Sequence, residues 1–296
     1  MSPPVLCYHL VGGPLALGVT RVSCRAFGRQ MRALARTGWR TMTLDEFAGY
    51  SDGAESRSGS VGAQHAAPLP AARDRVFLLT FDDGYASLAD YAYPLLADLG
   101  YTATTFLVTD YVGRMNTWDL RYTWRPLPHL DWRAIETWQG RGFDFGSHTA
   151  SHARLTWLDD PRAEDELARS RAALVARLGG TAGRAIAYPF GAADARVERL
   201  ARAAGYELGF GGVRGNVRGR GRGRASGADE GGALGLPRVP VYTWDCGSVP
   251  FGLRDDRIGA MGTLVAHMAN RCAVGTTVMQ GVRCWVSGVG HGGPST

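Results

Sequence analysis

The sequence predicts an α/β fold, one domain whose parallel strands form a sheet or barrel. Strand-like apolar runs alternate with helical periodicities along most of the chain, the pattern of repeated right-handed crossovers. One run, Arg75–Phe81 (RVFLLTF), is apolar without alternation, as in a strand covered on both faces. At 296 residues and 45% hydrophobic, the chain can bury one large core, and α/β barrels often occupy this length undivided.

The elements follow in order. Val5–Val11 is the first strand. A helix covers about Phe27 to Thr37, where Met31, Leu34 and Ala35 recur at helical spacing, and another starts near Leu44. Residues 51–73, rich in Gly, Ser, Ala and Pro, form a flexible surface insertion. After the strand Arg75–Phe81 come a helix (Leu88–Leu99), a strand (Ala103–Val108), a helix (Trp132–Trp138) and a short strand (Phe143–Phe145). The helix Pro161–Leu178 has Asp160 as its expected N-cap and proline in its first turn. Strand Ala185–Tyr188, helix Asp194–Ala204 and strands Leu208–Phe210 and Arg238–Tyr242 complete the domain, which takes up residues 1–270. A second insertion is expected at 211–232, and no structure is assigned to the tail 271–296.

Charge and cysteine content narrow the function classes. The net charge is +6, and all 33 basic residues are arginine. The absence of lysine fits a coding bias better than a surface selected for phosphate. The segment 211–232 carries arginine and glycine but no aromatic to stack on bases, so no nucleic-acid partner is expected. Five scattered cysteines without a CxxC pair suggest ordinary thiols. MSPPVLCYHLVGG has neither the basic nor the apolar region of a signal peptide, so the chain as written is expected to be cytoplasmic. No apolar run approaches the roughly 20 residues of a membrane span.

Two short motifs carry chemistry. The buried strand Arg75–Phe81 runs into Asp82-Asp83-Gly84, and adjacent carboxylates at a strand's C-terminal end are costly unless their charge is used. An ordinary turn is the competing reading. Ser147–His152 (SHTASH) follows the strand Phe143–Phe145 and so belongs on the same rim. Its histidines, at i and i+4, would project together from one helical turn and could share a metal. Chance spacing is the alternative there. Asp83, His148 and His152 together make a ligand set that leaves coordination positions open, as catalytic sites do, and Asp82 is then free to act as a base.

In this order and spacing, TFDDG (Thr80–Gly84), HTASH (His148–His152) and AYPFG (Ala187–Gly191) resemble three motifs of the polysaccharide deacetylase family, the NodB-like carbohydrate esterases. The resemblance runs from about Pro4 to Tyr242. It implies an irregular (β/α) barrel of about seven parallel strands, TIM-like, with Asp82 as catalytic base. It also implies one divalent ion on Asp83, His148 and His152, zinc first and cobalt, nickel or manganese as alternatives. Many members carry an arginine where this chain has Ala187. Tyr188, Pro189, Phe190 and Gly191 would still wall a groove, with the Phe190 N–H as an oxyanion donor. Arg238 is the expected substitute for the missing guanidinium. VLCYHLV resembles the permuted branch that includes poly-N-acetylglucosamine deacetylases, where the acid-bearing strand comes first. That branch often lacks the third-motif arginine too. His9 is accordingly expected as general acid, in preference to His267 on a helix-like stretch.

The implied reaction is hydrolysis of N-acetyl groups on an amino-sugar polysaccharide. The ion polarises the carbonyl, Asp82 takes a proton from water and His9 protonates the departing amine. Tyr111, Trp118, Trp124, Trp157 and Trp244 could stack on sugar rings. O-deacetylation of a xylan-like ester and an inactive glycan-binding protein on the same fold are the competing functions. Family members often act at the cell envelope, which stands against the expected compartment.

Overall fold

The computed structural model describes residues 3–13, 20–56, 75–117, 126–211 and 233–245, and scattered positions between 247 and 265. The strands are β1 (Val5–Tyr8), β2 (Leu10–Val11), β3 (Arg21–Val22), β4 (Arg40–Thr41), β5 (Val76–Phe81), β6 (Thr104–Leu107), β7 (Asp144–Ser147), β8 (Ala185–Ala187), β9 (Leu208–Phe210) and β10 (Val239–Pro240). The helices are α1 (Cys24–Arg36), α2 (Leu44–Ser56), α3 (Tyr93–Asp98), α4 (Trp132–Gln139), α5 (Asp160–Leu178) and α6 (Ala195–Ala203).

Seven strands form one parallel path, β10-β1-β5-β6-β7-β8-β9, and β4 pairs with the start of β5. Leu236, just ahead of β10, makes a parallel bridge to Phe210 at the end of β9. Its N–H donates to Gly209 and its carbonyl accepts from Gly211. The segment Leu236–Pro240 therefore touches both edges of the curled sheet, producing the irregular seven-stranded α/β barrel expected from the sequence. The first strand lies between the last strand and β5, pairing Val5 with Leu78 and Tyr8 with Phe81.

Strands β1, β5 and β6 are buried along their whole length, as parallel strands covered on both faces are, with threonine as the one polar residue type among them besides the Cys7 thiol and Tyr8 hydroxyl. α1 covers them with Phe27, Met31 and Leu34, and the Phe27 ring packs edge-on against Tyr8 at 5.3 Å. The expected helix Leu88–Leu99 opens as a π turn over Leu88–Ala92, in which Tyr93 N–H reaches back to Leu88 O. Pro94 comes directly after, with no N–H to continue a regular ladder, and α3 begins there.

Several sequence expectations need correction. α2 runs to Ser56, so helix occupies the first part of the expected 51–73 insertion. The rest of that insertion, nearly all of 211–232 and the whole tail 271–296 lie outside the described residues, as do His267, Trp118 and Trp124. Asp159, one residue before the expected Asp160, caps α5 by accepting from Arg162 N–H. Both residues are aspartate, and the proline that suggested the boundary sits in the first turn either way. No described helix is long and apolar enough to cross a membrane.

Candidate active site

Strand parity builds the site. Side chains two apart on a strand share a face, so Cys7 and His9 on or just past β1 project with Thr80 and Asp82 from β5. The register sets Cys7 level with Thr80, and Tyr8 with Phe81. Asp82 N–H bonds to Tyr8 O, extending the ladder one step past the strands. Asp82 is only 3% exposed.

Arg238 meets it there. Its Nη1 donates to Asp82 Oδ1 at 2.6 Å and its Nη2 to Oδ2 at 2.7 Å, a two-pronged buried ion pair. The guanidinium comes from the residue before β10, which the register sets level with Val5, and also lies 5.6 Å from the Phe106 ring centre. Ala187 lacks a charged side chain, but its carbonyl is used: His148 Nδ1 donates to it at 2.8 Å. The Cys7 thiol donates to Asp82 Oδ2 at 3.4 Å, a neighbour that the sequence motifs do not single out. His9 Nε2 lies 3.8 Å from the same oxygen.

Asp83 turns the other way. Its φ of +69° is left-handed, and Gly84 follows at +72°, where a Cβ would come within 2.6 Å of Leu107 Cδ2. This double kink lets two consecutive carboxylates face one cleft. Asp83 Oδ1 stands 3.6 Å from His148 Nε2 and 3.5 Å from His152 Nε2. The two histidines do not lie on a helical turn, contrary to expectation. Thr149 and His152 both adopt left-handed φ, +65° and +66°, and the resulting loop brings the rings to 4.9 Å. Left-handed backbone at a β-branched threonine costs energy, so the surroundings must hold it in place. Glu166 of α5 supplies one brace, accepting from both Ser151 N–H and Ser151 Oγ.

The third motif is only half in the cleft. Tyr188, expected as groove wall, is fully buried instead and donates to Leu234 O at 3.1 Å, because it is still on the outward face of β8. Pro189 is buried as well. Phe190 takes φ +60°, and its ring packs 4.8 Å from His152. All four left-handed non-glycine residues among those described (Asp83, Thr149, His152 and Phe190) belong to these three loops.

The electrostatics follow from burial and neighbours. Burial works to raise the Asp82 pKa, but Arg238 outweighs it and holds the carboxyl well below the usual range. Burial pushes His9 down to about 4, with Asp82 opposing and Arg238 assisting. His148 and His152 are also lowered by burial, so imidazole at both is neutral. His148 Nδ1 donates to Ala187 O and so carries the proton, leaving the Nε2 lone pair facing the Asp83 carboxylate at 3.6 Å. Two acceptors at that distance repel unless a cation lies between them. On a tetrahedral ion with ligand bonds of about 2.0–2.1 Å, neighbouring donors sit about 3.3 Å apart. The residues present fit such an ion.

Of the aromatics considered from sequence, Trp157 is exposed, with the Arg154 guanidinium 5.0 Å over its ring. Tyr111 stands against His129 at 5.6 Å, and Trp244 packs on Tyr242 at 4.9 Å.

Residues 70–209 match the polysaccharide deacetylase family model. A candidate polysaccharide deacetylase of Bacillus subtilis (strain 168), YxkH, is 26% identical over 206 residues, 70% of this chain; the chain spans 63% of that protein's length. Among solved structures, Streptococcus pyogenes deacetylase PplD in complex with acetate superposes with a TM-score of 0.63 at 20% identity, covering 82% of this chain and 93% of PplD. IcaB from Ammonifex degensii gives 0.55 at 25% identity, covering 71% and 83%. Its three motifs stand on the rim of this barrel, and the part of the chain that carries them is similar to the polysaccharide deacetylases.

Proposed function

We propose that this chain is a metal-dependent hydrolase that removes N-acetyl groups from amino-sugar residues of a polysaccharide. The observation that carries the reading is the division of labour between adjacent aspartates. Asp82 is clamped by Arg238 and stands beside His9, while Asp83 faces His148 and His152.

Asp83, His148 and His152 would hold the ion, zinc first, with cobalt, nickel and manganese compatible with the same donors. When bound, it supplies Lewis acidity that polarises an acetyl carbonyl and acidifies water. The rest falls to the chain. Arg238 fixes the Asp82 carboxylate so that it can take a proton from the attacking water. His9, neutral at rest, is 3.8 Å from Asp82 and receives that proton. It passes the proton to the amine nitrogen as the carbon–nitrogen bond breaks and acetate leaves. The Phe190 N–H, on its left-handed turn beside His152, is the donor for the developing oxyanion. An amine leaving group needs such a proton, which makes His9 more necessary for an N-acetyl than for an O-acetyl substrate.

The test is acetate release from N-acetylglucosamine oligomers and from acetylated xylan, by metal-stripped protein and by protein given one equivalent of zinc. Zinc-dependent release from the amino-sugar substrate is expected. Release from xylan alone would move the activity to the ester, and release without metal would reject metal dependence.

A further inference from the structure

Cys7, His9 and Asp82 form a second cluster of potential ligands, separate from Asp83, His148 and His152. One ligand atom from each, a sulfur, a ring nitrogen and a carboxylate oxygen, lies within 4.8 Å of the others. Cys7 Sγ is 3.4 Å from Asp82 Oδ2, and His9 Nε2 is 3.8 Å from that oxygen. Zinc bonds of about 2.3 Å to sulfur and about 2.0–2.1 Å to nitrogen and oxygen place neighbouring tetrahedral donors about 3.3–3.6 Å apart. Little movement is needed to close the cluster on an ion.

Two further features favour binding. The His9 Nδ1 is buried with no hydrogen-bond partner among the described residues, so nothing holds the ring against a small turn toward the cluster. Asp82 Oδ2 accepts from Arg238 Nη2 but, as a carboxylate oxygen, keeps a lone pair toward Cys7 and His9. His9 is part-exposed at the rim, which gives the ion an entry from the cleft. Arg238, adjacent and positive, weakens this site relative to the first.

We propose that Cys7, His9 and Asp82 form a second, weaker site for a thiophilic divalent ion, and that filling it shuts the enzyme down. Zinc there would replace the thiol proton, which goes to solvent, and would occupy the lone pairs that Asp82 and His9 need for proton transfer. Binding itself does not depend on the proposed reaction. The inhibition does, since it rests on Asp82 and His9 handling protons.

Cobalt(II) provides a readout independent of activity. The Asp83, His148 and His152 set contains no sulfur, so a thiolate-to-cobalt charge-transfer band in the near ultraviolet reports ligation by a cysteine, and its loss in a Cys7 variant assigns it to Cys7. Titrating metal-stripped protein with cobalt should give the band only after the first equivalent. Cys7→Ser, which keeps a hydrogen-bond donor to Asp82 but no soft ligand, should abolish it. Cys24→Ser, at an exposed thiol outside the cluster, should retain it. In acetate-release assays, zinc beyond one equivalent should inhibit the parent by about 10²-fold or more, as expected when acid–base groups are lost. Cys7→Ser should stay near its one-equivalent rate. No charge-transfer band in the parent at excess cobalt would overturn the site, whether or not acetate is released. A band together with equal zinc inhibition of the parent and Cys7→Ser would overturn the inhibitory role.

Discussion

Replacing Arg238 with methionine tests how the Asp82 carboxylate is kept charged inside the barrel. Both partners are almost inaccessible, Asp82 at 3% and Arg238 at 5% exposure, and they are joined by bonds of 2.6 and 2.7 Å. Removing one partner of such a buried pair strands the other charge and costs about 3–5 kcal/mol, whereas replacing both with neutral groups often costs little. Arg238→Met should therefore lower unfolding free energy by about 3–5 kcal/mol in a urea titration near neutral pH. Asp82→Asn strands the guanidinium and should also destabilise. The double variant should be more stable than the sum of the two single losses predicts, by a coupling of about 2–3 kcal/mol. Arg238→Lys should rescue only part, because a lysine ammonium cannot span both carboxylate oxygens. A loss below about 1 kcal/mol for Arg238→Met, or strictly additive losses, would refute the claim that this pair holds the base in place.

The same geometry sets three further expectations. His148→Ala and His152→Ala should each lose the tighter equivalent of zinc by equilibrium dialysis while keeping the parent's circular dichroism; retained affinity in both would refute the ligand set. His9→Ala should hold that equivalent yet release acetate about 10²–10⁴-fold more slowly, since it removes the proton donor and no ligand of the tighter ion. Burial lowers His129 to about 4, against about 6.5 in an unfolded chain, so the unfolded state binds more protons between these values. Stability is thus full above about pH 6.5 and falls by about 3 kcal/mol as the pH drops to about 4; His129→Gln should show a shallower acid limb in urea titrations at several pH values. An unchanged limb would show that His129 does not titrate as burial requires.

The barrel and its rim are legible in the sequence because buried parallel strands announce themselves. Val76–Phe81 is apolar but for Thr80, and the residues just past the C-terminal end of such a strand face the cleft. His9 is readable for the same reason once Val5–Val11 is taken as a strand beside β5. Parity reaches Cys7 too, two residues before His9 and on the same face, although no motif marks the thiol. Tyr188 shows the limit of motif reading: a motif position says little about orientation while the residue is still in step with β8, which sends its side chain into the core. The i and i+4 spacing of His148 and His152 suggests a helical turn, and the suggestion is wrong. Two left-handed residues achieve the same convergence, and Glu166, from α5, braces the loop. Arg238 is identifiable as a substitute guanidinium, but its two-pronged contact depends on β10 lying beside β1, a long-range pairing that local pattern does not encode.

In the proposed mechanism two adjacent aspartates divide the work, one holding an ion and the other moving a proton. It is tested most directly by measuring zinc content and acetate release on the same samples of parent, Asp82→Asn and Asp83→Asn, each given one equivalent of zinc. Asp82→Asn should retain the ion and lose about 10²–10⁴-fold in acetate release, whereas Asp83→Asn should fail to retain the ion. Asp82→Asn releasing acetate at the parent rate, or Asp83→Asn retaining zinc as tightly as the parent, would rule out this division of roles.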